Sequence, residues 1–298
     1  VTALRRQGLA FSAVAIAVVC AAPILSRISP QAELVVTALL ILFFGVPHGA
    51  LDPIFARQFY RVRTALGWLS FTLAYCALAA LVVLVWQAFP LFFLWAFLIL
   101  SAGHFSGDPA RGTPLLPRAL YGGAILVLPT LFHAAQVAHL FSMLISPSAA
   151  GRAVPVLQTL GWPWLAGLAV AALSCARRDW LTGLELAAVG LLALFAPPLV
   201  AFTVFFCGMH SARHILRTID FSRATSPRFL LAALAAPMAG TSLLAVFAWQ
   251  LLRGQPLDAR LLQLVFVGLA ALTLPHIAVV EHSRRQGFAA PAGSLGRC

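Results

Sequence analysis

Stretches of about twenty apolar residues recur from one end of the chain to the other, and nothing else in the sequence constrains the fold as strongly. A helix rising 1.5 Å per residue needs about 20 residues to cross a hydrocarbon core of about 30 Å. Breaks of charge, proline and glycine divide the 298 residues into ten candidate spans, near 8–26, 34–51, 65–86, 90–105, 118–145, 161–176, 181–196, 198–216, 229–252 and 259–282. The fourth, sixth and seventh are short and the Pro197-Pro198 break is narrow, so the expected count is eight to ten. Only 9% of residues are charged and 61% are apolar, against about 25% charged in a soluble domain. The expectation is an all-α, polytopic transmembrane helical bundle, one integral membrane domain over residues 1–298, multi-pass in the inner (cytoplasmic) membrane.

The formal charge of +12 does not mark a nucleic-acid binder, because the arginines lie scattered in short loops and not on one face. All 20 basic residues are arginine. With ten spans and a cytoplasmic N-terminus, Arg27, Arg152, Arg253 and Arg260 fall on one side and the other sixteen on the opposite side. Positive charge collects in cytoplasmic loops, so the expected topology has both termini cytoplasmic. Arg5 and Arg6 precede an apolar stretch longer than a signal-peptide core of about 7–15 residues, which reads as a retained first span. Cys20, Cys76, Cys175, Cys207 and Cys298 show no CxxC spacing and read as packing residues.

Ionisable groups in or beside apolar spans are costly and mark function by default. Of eight histidines, His48, His104, His210, His214, His276 and His282 are expected at cytoplasmic helix ends. His210 and His214 are four apart, a spacing that puts two imidazoles on one helical face. A second pattern occurs twice, as Gly45-Val-Pro-His48-Gly-Ala-Leu-Asp52-Pro53 and Ser101-Ala-Gly-His104-Phe-Ser-Gly-Asp108-Pro109. Proline disfavours helix in the residue before it, so each block reads as a helix end turning into a loop. There Asp52 and Asp108 are candidates to orient the imidazole or an inner water. His48, His104, His210 and His214 make a candidate all-imidazole metal site, and such a site suits Zn, Cu, Fe or Ni. Pro275-His276 and Glu281-His282 read as supporting groups, substrate contacts or interfacial anchors. His133 and His139 are six apart, on opposite faces of a helix, and are not expected to share a metal.

The blocks PHGALD, GHFSGD and HSARH, with PHIAVV near the C-terminus, resemble those of the Brp/Blh family of membrane beta-carotene dioxygenases. The resemblance covers most of the chain, with specific motifs at 45–53, 103–109 and 208–214. It implies a polytopic enzyme that cleaves the central double bond of beta-carotene with O₂ to two retinals, using Fe(2+) on His48, His104, His210 and His214. It also implies a lipophilic carotenoid substrate drawn from membrane lipid and a rhodopsin that receives the retinal. The family's second histidine is commonly followed by Phe-Gly; here Phe105-Ser106-Gly107 follows.

Three other classes fit less well. Di-iron hydroxylases, desaturases and carotenoid ketolases carry HxxHH boxes, and this chain has no adjacent histidines. A retinal-binding pump needs a lysine amine for its Schiff base. A transporter or b-type cytochrome calls for deep axial histidines, a role open only to His133 and His139. A polyene as long as a bilayer core is thick must enter from lipid, and Phe43, Phe44, Phe105, Phe205, Phe206 and Met209 are the expected tunnel walls.

Overall fold

The computed structural model describes residues 2–222 and 226–285, with side chains up to Glu281. Val1, Cys298 and the side chain of His282 therefore lie outside the described residues. Among the described residues every regular element is a helix. In chain order they are α1 (Ala3–Leu25), α2 (Pro30–Phe59), α3 (Ala65–Ala88), α4 (Pro90–Phe105), α5 (Leu115–Phe132), α6 (Ala134–Leu144), α7 (Pro147–Ala176), α8 (Trp180–Phe195), α9 (Pro198–Phe221), α10 (Pro227–Leu251) and α11 (Leu257–Arg285). Eight are long and apolar enough to cross a membrane; α4, α6 and α8 are shorter. The chain is a multi-pass helical membrane protein.

Three expected boundaries are corrected. The span expected over 118–145 is two helices, because after Pro129 the backbone of His133 leaves helical geometry (φ −125°, ψ 30°). The span expected over 161–176 is the second half of a 30-residue helix. Ser146 caps its start by accepting from the Ala149 amide, and Pro147 sits in the first turn, where its missing N–H is no loss. Pro155 and Pro163 lie inside α7 without ending it, as prolines often do in membrane helices. Finally, α2 does not stop near residue 51. It passes through a π-helical stretch, Ile41–Gly45, and a 3-10 stretch, Val46–Leu51, and resumes as α-helix to Phe59 with Pro53 in its first turn.

Helices α1, α5, α7 and α8 form the tight side of the bundle. Lipid offers no hydrophobic drive between helices, so close approach at small residues holds such interfaces together. A Cβ on Gly183 would lie 2.7 Å from the Ala172 carbonyl, and one on Gly161 2.7 Å from Leu131 Cγ. The opposite side is looser: α3 has no buried residue and α10 only Ala233. These two helices, with α11, flank the cavity described below.

Candidate metal centre

Five histidines from four helices meet inside the bundle: His48 on α2, His104 on α4, His210 and His214 on α9, and His276 on α11, all buried. Ring centroids lie 5.1 Å apart for His48 and His210, 5.6 Å for His48 and His214, 4.7 Å for His104 and His210, 5.0 Å for His104 and His276, and 5.2 Å for His214 and His276. Separations near 5 Å are those of imidazoles pointing at one centre with metal–nitrogen bonds of about 2.1 Å. Ring nitrogens of His48, His104 and His276 all lie within 4.8 Å of one another.

Hydrogen bonds fix which nitrogen faces the centre. His210 Nδ1 lies 3.1 Å from each carboxylate oxygen of Asp108, and His276 Nδ1 lies 2.8 Å from Asp52 Oδ1. His48 Nδ1 lies 2.6 Å from the Gly45 carbonyl and 3.0 Å from Ser211 Oγ. A carboxylate or carbonyl can only accept, so each Nδ1 carries the proton and each Nε2 keeps its lone pair. The Nε2 atoms of His210 and His276 are buried with no hydrogen-bond partner. Leaving a buried nitrogen unsatisfied costs free energy, and a metal ion is the partner that suits an all-imidazole donor set. The residues therefore fit a metal ion.

The helices are shaped locally around these side chains. Both α2 and α9 carry π-helical stretches at the site, Ile41–Gly45 just before His48 and Val204–Ser211 around His210, and the two pack on each other. Extra residues in a helical turn re-aim side chains and occur often at functional sites. Gly45 is required by this packing: a Cβ there would lie 2.6 Å from the Phe206 ring. Phe206 stacks on His210 at 5.7 Å and meets His48 edge-on at 5.4 Å.

The loop after α4 is held by arginines of α9. Arg217 donates to the carbonyls of Gly107 and Asp108, both at 2.8 Å, and Arg213 donates to the Asp108 carbonyl at 3.0 Å. Arg213 also pairs in fork geometry with buried Glu185 of α8, at 2.6 and 2.9 Å, and its Nε donates to Gln7. His210, Arg213, His214 and Arg217 thus form one stripe of α9 that supplies imidazoles and anchors the loop bearing Asp108. Burial pushes the Asp108 carboxyl up, but His210, Arg217 and Arg213 together hold it below the usual carboxylate range. On the other side of the loop, Gly122 of α5 lets the backbones touch; a Cβ there would collide with the Ala102 carbonyl and lie 2.7 Å from the Ser106 amide.

A cavity of about 460 Å³ opens beside the imidazoles between α3, α10 and α11, within the range of roughly 300–1,000 Å³ typical of ligand sites. His48 and His276 form its polar end; Trp68, Phe206, Phe229, Gly240 and Leu269 contribute apolar wall. Of the expected tunnel residues only Phe206 lines this cavity. Phe43 and Phe44 are exposed on the outer face of α2, while Phe105, Phe205 and Met209 are packed in the core behind the site. Phe43, Phe44, Phe205 and Met209 lie in the π-helical stretches, where residue spacing from a histidine no longer predicts direction.

All four sequence-predicted ligands, His48, His104, His210 and His214, are in the cluster. Asp52 and Asp108 both touch imidazoles, and they do so crosswise: Asp52 holds His276 and Asp108 holds His210. The helix-end expectation holds for His104 and for the backbone position of His282, three residues before the end of α11, but not for His210, which lies three turns inside α9. His48, His214 and His276 lie two to three turns inside their helices. Sequence reasoning missed Tyr75, Arg213, Arg217 and Glu185 and undervalued His276. Glu185 carried a signal, as the one acid in the apolar stretch 181–196. His133 and His139 take no part in the ring contacts that join the five; His139 is exposed.

The family model described as "Beta-carotene 15,15'-dioxygenase" matches residues 39–282. A protein of uncultured marine bacterium 66A03 named beta-carotene 15,15'-dioxygenase is 29% identical over 252 residues, covering 81% of this chain and 90% of its own. No solved structure matches.

Proposed function

The chain belongs to the beta-carotene 15,15'-dioxygenase family, and on that premise we propose that it cleaves the central double bond of beta-carotene with O₂ at a ferrous ion held by His48, His104, His210 and His214. The observation that carries this reading is the set of buried imidazoles at the polar end of an apolar cavity. In the reaction the C=C bond breaks, each of its carbons gains one oxygen atom as a carbonyl, and O₂ is reduced with no further reductant, giving two retinals. Ferrous iron supplies the one-electron chemistry that ground-state O₂ needs to react with a closed-shell polyene.

The protein's own residues bind, orient and exclude water. Gly45 O, Asp108 and Asp52 keep protons on the outward nitrogens of His48, His210 and His276, so the inward nitrogens stay free for metal. Arg213 and Arg217 fix the loop that carries Asp108. The cavity walls are apolar, and the flanking helices α3 and α10 are mostly exposed where the bilayer would lie. Beta-carotene would enter between them from lipid, and the retinals would leave the same way toward a retinal-requiring membrane protein such as a rhodopsin.

Expression in a beta-carotene-accumulating bacterium tests the reading: pigment should fade and retinal appear on chromatography. Unchanged pigment beside a well-folded, iron-loaded protein would refute it. Gly240→Phe, which projects into open cavity, should cut retinal formation while leaving iron content intact. The proposed inner-membrane orientation, with both termini cytoplasmic, predicts that single cysteines at exposed positions 58 and 178 resist an impermeant thiol reagent until cells are opened.

A further inference from the structure

His276 is the one member of the cluster that lies outside the paired motifs, and it has the most elaborate support. We propose that His276 is a fifth imidazole ligand of the metal and that Asp52 and Tyr75 hold it in place; the inference rests on the reading of the cluster as a metal centre.

The Tyr75 hydroxyl, from α3, donates to Asp52 Oδ2 at 3.1 Å, and the other oxygen of Asp52 accepts from His276 Nδ1 at 2.8 Å. This joins α3, α2 and α11 in one chain of hydrogen bonds that ends on a ring nitrogen. A carboxylate behind an imidazole fixes its tautomer and orientation and raises its basicity, the usual support for a metal-bound histidine. The opposite nitrogen, His276 Nε2, is buried and has no hydrogen-bond partner. Its ring lies 5.0 Å from those of His48 and His104 and 5.2 Å from that of His214. An interfacial anchor would turn its polar edge to water, and a packing histidine would satisfy both nitrogens; His276 does neither. Pro275, just before it, removes the backbone bond to Ala271 and loosens the helix where the ring must turn inward. With five imidazoles, an octahedral ion keeps one position open instead of two.

The test uses ferrous iron alone, competed against a chromophoric chelator, on purified wild type, His276→Ala, Asp52→Asn and Tyr75→Phe. His276→Ala should raise the Kd for Fe(II) about 100-fold or more, Asp52→Asn about 10–100-fold, and Tyr75→Phe less. Cobalt(II) gives the coordination number: four-coordinate cobalt absorbs strongly in the visible and five- or six-coordinate cobalt weakly. The His276→Ala spectrum should therefore intensify, and added imidazole should reverse it, since His276 borders the cavity. If His276→Ala does not fold, Asp52→Asn and Tyr75→Phe preserve shape and carry the test. Wild-type Kd and an unchanged cobalt spectrum in His276→Ala, or in both supporting variants where it fails to fold, would overturn the fifth ligand and leave the proposed function standing. Wild type that binds no iron at all would overturn both.

Discussion

At residues 48–53 the chain stays helical, passing from 3-10 geometry into a new α-helical turn that Pro53 begins. At residues 104–109 the same residue pattern ends helix α4 and runs into a loop, which two arginines of α9 tie down by its carbonyls. Both blocks deliver a histidine and an aspartate to the same centre, yet each aspartate reaches an imidazole on a different helix. Proline decides less than its neighbours do: it is tolerated in a first helical turn, so an Asp-Pro pair can open a helix or close one. In both backbones the aspartate reaches across to another helix, and these crossing pairs help to knit the centre together.

The largest effects should come from the imidazoles. His104→Ala and His210→Ala, one on the loop-bound block and one on its crossed partner, should each abolish retinal formation and strip the iron while leaving protein in the membrane; activity retained in either would remove that residue from the centre. Next comes the loop-bound block's backbone. Gly122→Val should displace Ala102 and Ser106 and lower both activity and thermal stability, and the equivalent change at Gly49, where an added Cβ would lie 3.9 Å from His276 Nδ1, should be milder.

The crossed pairing has its own test. Asp108→Asn should weaken iron binding about 10–100-fold. In a double-mutant cycle scored on the stability of the metal-free protein, Asp108→Asn should couple to His210→Gln by more than about 0.5 kcal/mol, the mark of residues in contact. Additive losses would remove the crossed contact. Arg217→Ala acts on the second block alone, removing charged donors from two carbonyls; a loss of about 1.5–3 kcal/mol in stability is expected. The smallest effect is predicted at Asp179→Asn: its pair with Arg5 is partly solvent-exposed, such bridges contribute about 0–1 kcal/mol, and asparagine keeps an oxygen to accept from Thr182.

Much of this was legible in the sequence. The length and spacing of apolar stretches gave the helical class, and the spacing of His210 and His214 with the two repeated blocks singled out four of the five imidazoles. What was not legible depends on backbone detail. The π-helical stretches at 41–45 and 204–211 leave no mark in apolar periodicity, so Met209 and Phe205, which the sequence places beside the site, lie in the core instead. The pairing of Asp52 with His276 spans 224 residues and depends on α11 packing against the end of α2. Tyr75 sat unnoticed in an apolar stretch because one hydroxyl scarcely alters its hydropathy.

Metal analysis of the protein, purified in detergent under reducing conditions, bears most directly on the centre. The expected result is about one iron per chain in the wild type and essentially none in His210→Ala. Two irons per chain, zinc at full occupancy in an active enzyme, or iron retained by His210→Ala would contradict a single centre built from these imidazoles.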